Sequence, residues 1–154
     1  MNNLAITYKA TADLLPYINN AKKHSADQVA MLAASIREFG FNNPILTDGG
    51  NGVIAGHGRL QAAQKLGLET VPTIELSHLS AAQKKAYILA DNRLGEVGTE
   101  WDMELVNLEL EELQGLEFDL SLTGFELELG DEEPDYQGDP DDTPALSESE
   151  PVSQ

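Results

Sequence analysis

Apolar residues alternate with polar or small ones at Leu4, Ile6 and Tyr8, a period of two that predicts a half-buried strand. A loop follows over Leu14-Leu15-Pro16-Tyr17-Ile18-Asn19-Asn20. The period then changes to that of a helix, with Val29, Leu32, Ala33, Ile36 and Phe39 on one face. Ser25 stands where a cap accepts the first free amides, and Gln28, three positions on, completes a capping box. Gly40 supplies the left-handed residue that ends the helix. Two short apolar runs, Pro44 to Thr47 and Val53 to Ala55, flank Asp48-Gly49-Gly50-Asn51-Gly52 and predict a β-hairpin. After the glycine-rich Gly56-His57-Gly58-Arg59, Leu60, Ala63 and Leu66 form the inward face of a short helix stopped by Gly67. Val71, Ile74 and Leu76 predict another strand. Ser80 and Gln83 form a second capping box, opening a helix through Ala86, Ile88 and Leu89 into Asp91-Asn92-Arg93. Leu105, Leu108, Leu113 and Leu116 recur at nearly helical spacing under an acidic face, a C-terminal helix with Trp101 as its core anchor.

Length and composition narrow the organisation. A chain of 154 residues has room for one core and a tail. The expected division is a folded domain over 1–129, with its core at about 14–95 and an acidic helical extension over 96–129, and then a tail over 130–154. From about Gly130 the chain is Asp, Glu, Pro, Ser and Gly, with too little apolar surface to offset the entropy of ordering, so residues 131–154 are expected to be disordered. The absence of cysteine excludes disulfides, thiolate metal sites and thiol catalysis. Neither a leader nor a run of roughly 20 apolar residues is evident, so a soluble, cytoplasmic protein with no membrane partner is expected.

A net charge of −18 argues at first against a nucleic-acid partner. Its distribution reverses that reading. Through position 93 there are nine basic residues against seven acids, a net charge of +2; beyond it lie twenty carboxylates and no Lys or Arg. Two regions with different electrostatic tasks share one chain.

Gly56-His57-Gly58-Arg59 is the segment richest in chemistry. Strand, glycine turn and helix start in that order offer a flexible backbone, free amides and a guanidinium fork, the parts of a phosphate site. The same glycines would equally serve a tight turn with a solvated Arg59. Asp91 and Asn92 supply a carboxylate and an amide oxygen suited to a hydrated Mg²⁺ beside a phosphate, with Arg93 adjacent; as a plain alternative, Asn92 is a helix cap. Asn19, Asn20, Lys22, Lys23 and His24 make a polar, basic loop that could touch phosphate or a base edge, or simply connect two elements. His24, His57 and His78 lack the spacing of a helical metal site, and no serine has the company of a hydrolase triad.

These residues, taken together, resemble a known family. Ser35 to Ile45, Val53-Ile54-Ala55-Gly56-His57-Gly58-Arg59, Ala90-Asp91-Asn92-Arg93, Trp101-Asp102 and Gly124-Phe125 are similar, over roughly Leu14 to Leu129, to ParB-like N-terminal domains. The nearest likeness is to the phage and prophage type found beside DNA methyltransferases. The resemblance implies an α+β fold of the ParB/sulfiredoxin-like kind, a small mixed β-sheet with packed helices. It implies nucleotide phosphates bound at Gly56, His57, Gly58 and Arg59, with Asn92, Arg93, Lys22 and Lys23 contributing, and Mg²⁺ at Asp91 and Asn92. The cofactors it implies are Mg²⁺ and a nucleoside triphosphate, CTP or ATP. Where partition proteins carry a Glu and two Args, this chain has His57, Gly58 and Arg59. Partition proteins also continue into helix-turn-helix and dimerisation domains, so a self-sufficient centromere-binding clamp is not expected.

The expected function is a nucleotide- or DNA-binding accessory domain acting with DNA-processing or DNA-modification machinery, such as a DNA methyltransferase or another phage protein. Mg²⁺-dependent nuclease or nucleotidase chemistry is left open. The rival expectation is a non-enzymatic interaction protein, or a mimic of DNA charge, using the acidic C-terminal third.

Overall fold

The structure, a computed structural model, describes residues 3–20 and 22–127. The described residues fall into two compact units, one up to residue 100 and the other from residue 101. The tail expected to be disordered, 131–154, lies outside the described residues.

In the first unit four strands form one mixed sheet in the order β1-β4-β2-β3: β1 (Ile6–Ala10), β2 (Ile45–Thr47), β3 (Val53–Ala55) and β4 (Thr70–Glu75). β1 runs antiparallel to β4, pairing Ile6 with Ile74 and Ala10 with Thr70; β2 runs parallel to β4, and β2 and β3 form the predicted antiparallel hairpin. Because both faces of β3 are covered, Val53, Ile54 and Ala55 are buried in succession and do not alternate. On one face α2 (His57–Leu66) brings Leu60 and Ala63 against Ile45, Val53 and Val71. α1 (Ala26–Phe39) packs on α2 through Val29, Ala33 and Ala62. On the other face α3 (Ala81–Arg93) sets Ile88 against Ile54 and Leu76. Each fully buried aliphatic side chain here stabilises the fold by about 1.5–3 kcal/mol. The arrangement is the mixed α+β fold expected.

Several sequence expectations change in detail. β1 forms, but Ile6 (60% exposed) and Tyr8 (66%) are not half-buried, because β1 is an edge strand and α3 packs over β3 at the opposite edge. Ser25 caps α1 by accepting from the Gln28 amide, yet the Gln28 side chain turns to His24 Nδ1 at 2.8 Å, so the first capping box is half made. The second, Ser80 with Gln83, is complete. Phe39, at the last position of α1, is exposed. Among the described residues no helix is long and apolar enough to cross a membrane.

The second unit contains α4 (Met103–Gly115), capped by Asp102, and a 3₁₀ turn at Leu120–Thr123. Its buried residue is Leu110, whereas Leu105, Leu108 and Leu116 are exposed. Of the predicted leucines only Leu113 is partly buried; Val106 and Leu110, at helical intervals from it, complete the more buried stripe that the leucine spacing missed. Trp101 meets Phe125 edge to face at 4.8 Å but stays 68% exposed, so it is not a core anchor.

Candidate functional site

The hairpin strand β3 ends at Ala55, and Gly56 turns the chain into α2 with φ 105°, a left-handed conformation that L side chains rarely adopt. His57, Gly58 and Arg59 are therefore the first turn of α2 itself, where sequence reading placed them in a turn ahead of it. Their position leaves the free amides and positive dipole end of α2 facing a cavity of about 200 Å³. The cavity is lined by Asn20, Lys22, His24, Gly56, His57, Arg59, Asp91 and Asn92, among others. Gly58 also has a packing reason to be glycine. A Cβ there would lie 2.9 Å from Leu32 Cδ1 and 3.0 Å from His24, so the missing side chain lets α1 and the loop before it close onto α2.

Arg59 has a split environment. Its Nη2 donates to the Pro44 carbonyl at 3.1 Å, while its Nε is buried with no hydrogen-bond partner. Burial pushes the guanidinium below its ordinary value and the Asp91 carboxylate partly offsets this, yet among the described residues no carboxylate approaches Arg59 within 4.0 Å. Arg59 is thus a half-buried cation whose charge has no described carboxylate partner.

His57 is only 8% exposed, and its Nε2 accepts the Tyr17 amide at 3.0 Å. Burial, and secondarily the nearby His24, hold it below the usual imidazole value, so it is neutral at pH 7. On the facing wall, near the end of α3, Asn92 donates Nδ2 to the Ile88 carbonyl at 2.9 Å, which leaves Oδ1 as its acceptor. Asp91 accepts from the Tyr87 hydroxyl at 3.3 Å, and burial together with that carboxylate raises the Tyr87 value. Among the described residues no three His, Asp or Glu side chains converge to hold a metal. One carboxylate beside one amide oxygen suits a cation that takes most of its ligands from phosphate and water.

The fold thus brings Gly56, His57, Gly58, Arg59, Lys22, Asp91 and Asn92 around one cavity. It does not bring Arg93 or Lys23 there. Arg93 lines an adjoining cleft with Asn20, Lys22, Leu89 and Glu96, where it is ion-paired to Glu96 at 3.1 Å, and Lys23 is exposed outside both. Sequence reading missed the Tyr17 amide and the Pro44 carbonyl, because backbone groups act regardless of residue type and leave no mark in a sequence. Gln28 was visible only as a cap residue.

Comparison with known proteins identifies the family. The family model described as the ParB N-terminal domain matches residues 13–93, a span that ends with α3. The chain belongs to that family. It is 48% identical over 82 residues, 53% of this chain and 94% of the relative, to the ParB-like nuclease domain-containing protein YnaK of Escherichia coli (strain K12). Its fold is similar, with a TM-score of 0.65 and 21% identity, to the C-terminally truncated chromosome-partitioning protein ParB from Caulobacter crescentus complexed with CTP-gamma-S, over 78% of this chain and 69% of that one. Sulfiredoxin from Arabidopsis thaliana is also similar, at a TM-score of 0.45 and 23% identity, over 55% of this chain and 97% of its own.

Proposed function

We propose that the first unit binds a nucleoside triphosphate, with its phosphates in the cavity at the start of α2. The observation that carries this reading is Arg59, which lines that cavity with no described carboxylate within 4.0 Å and with its Nε left without a hydrogen-bond partner. The α2 amides and Arg59 would take phosphate oxygens, and Lys22 at the rim adds positive charge. Arg59 also borders a second hollow lined by Ser35, Phe39, Phe41, Asn42 and Asn43, whose aromatic and amide groups suit a nucleoside. Asp91 and Asn92 would hold Mg²⁺ in the first cavity, and the metal would supply charge neutralisation to the phosphates. The Caulobacter relative bound to CTP-gamma-S makes CTP the first nucleotide to try, and ATP the second.

DNA is the second ligand proposed, since the part of this chain through position 93 is net positive. The finer reading is an accessory role beside DNA-processing or DNA-modification machinery, such as a phage methyltransferase. A Mg²⁺-dependent nuclease or nucleotidase step would have Asp91 as the one carboxylate at the cavity. A rival reading rests on the charge distribution, with twenty carboxylates and no Lys or Arg after position 93: an interaction protein, or a mimic of DNA charge, whose working surface is the C-terminal third.

The test is a binding screen of CTP, ATP, GTP and a short DNA duplex, each with and without Mg²⁺, with phosphate release followed in the same samples. The proposal expects at least one triphosphate to bind and Mg²⁺ to tighten it. Failure of all three at millimolar concentration, with the protein folded, would reject the nucleotide site and favour the acidic-surface reading.

A further inference from the structure

The segment between the sheet and α1 supplies Asn20, Lys22 and His24 to the cavity, so its position decides whether the cavity exists. Upstream it is anchored at Leu15, which donates to the Asn51 carbonyl at 2.9 Å and accepts from the Val53 amide at 2.8 Å. Downstream it enters α1 at Ser25. Between these points the internal hydrogen bonds are local: Asn20 N–H to the Tyr17 carbonyl, and Lys22 N–H to Asn20 Oδ1. Among the described residues, the backbone of this stretch is tied to another element by one hydrogen bond, the Tyr17 amide donating to His57 Nε2 at 3.0 Å. The Lys22 to Glu96 ion pair, at 3.9 Å and half exposed, adds little.

We propose that His57 is a positioning residue which, through its neutral Nε2, holds the Tyr17 end of this segment and so keeps Asn20 and Lys22 over the cavity. The proposal rests on the nucleotide reading above and says how that site is assembled. An imidazole can accept only while one nitrogen carries a lone pair, so protonation turns Nε2 from acceptor to donor and sets it against the Tyr17 N–H. Burial, and secondarily His24 of the segment, keep His57 neutral; the other charged groups lining the same cavity are Arg59 of its own helix, Lys22 at the rim and Asp91 of α3. The helix start adds to this, since α2 presents its positive dipole end at His57. The neutral state that the hydrogen bond requires is the state the surroundings favour. Acidification would therefore release the segment and lower affinity even while it adds a positive charge near the phosphates.

The experiment follows the Tyr17 amide by NMR hydrogen exchange, the His57 ring by its proton shifts, and CTP–Mg²⁺ affinity by calorimetry, from pH 7.5 down to 5. The wild type is compared with His57→Gln, whose amide oxygen can accept but does not titrate, and with His57→Phe, which fills the space and cannot accept. The expected result is that the Tyr17 protection factor falls roughly tenfold as His57 protonates, the scale of one hydrogen bond. CTP affinity falls in parallel in the wild type and holds steadier in His57→Gln, while His57→Phe shows the open state at pH 7.5. Tyr17 protection unchanged through the titration of the His57 ring overturns the proposal, even if His57→Phe fails to fold. Protection that falls while affinity in the wild type and His57→Gln stays alike overturns the positioning role and leaves the nucleotide site intact. Wild-type protein that binds CTP at no pH overturns the nucleotide reading, and with it the role assigned to His57.

Discussion

Arg59 is a half-buried cation without a described carboxylate partner, the state that the proposed triphosphate role calls for. Its Nε lacks a partner and no described carboxylate lies within salt-bridge distance, so the protein gains little from the charge when the cavity holds no anion. Replacing Arg59 by Met, which keeps the aliphatic stem, is therefore expected to leave stability to urea within about 1 kcal/mol of wild type, because a half-buried charge with no carboxylate partner gives way to an apolar group. A loss above about 3 kcal/mol would mean that Arg59 is chiefly a structural residue. His57 yields a prediction of definite sign. Its folded value lies below the ordinary 6.5, so the unfolded chain binds its proton first. Its contribution to stability is complete above pH 6.5, declines as the pH falls toward the folded value, and then levels off. Urea midpoints at pH 7.5 and 5.5 should differ more in wild type than in His57→Gln. Equal differences would place the acid sensitivity elsewhere.

At the scale of elements, the site is the meeting of two helix ends, the start of α2 and the end of α3, and the hairpin decides how they meet. Asp48 in the hairpin turn accepts from the Gly50 and Gly52 amides at 2.8 Å each and from Lys84 of α3 at 2.7 Å, which links the turn to the helix carrying Asp91 and Asn92. Asp48→Ala is expected to cost about 1.5–3 kcal/mol in urea denaturation, the scale of charge-assisted hydrogen bonds, and to weaken triphosphate binding; a cost below about 0.5 kcal/mol would show that α3 is held by apolar packing alone. The hairpin, both Gly stops and both helix caps were legible in the sequence, because glycine, serine and helical spacing act locally. What stayed hidden is non-local. Nothing around Tyr8 says that α3 covers the far edge of the sheet, and nothing around Leu110 says which of two leucine stripes is buried. The site was legible by residue type at Gly56 to Arg59, Asp91 and Asn92, but their convergence, and the exclusion of Arg93, are products of the fold.

For the whole molecule, charge distribution is the dominant feature. A body of +2 through position 93 is followed by twenty carboxylates, and deletion of 131–154 removes nine of these. If DNA binds the body, the shortened protein should bind it more tightly at low salt, and the gain should fade as the screening length drops to ~10 Å near ~0.1 M. Identical DNA affinities at low ionic strength would assign the acidic tail to another task. The central claim, that the cavity at the start of α2 is a triphosphate site organised around Arg59, is tested most directly by calorimetric titration of CTP with Mg²⁺ into wild type and Arg59→Ala. The predicted result is a folded variant whose binding is weaker by about 1.5–3 kcal/mol, the loss of a charge-assisted contact. Equal affinity in the two proteins would contradict it.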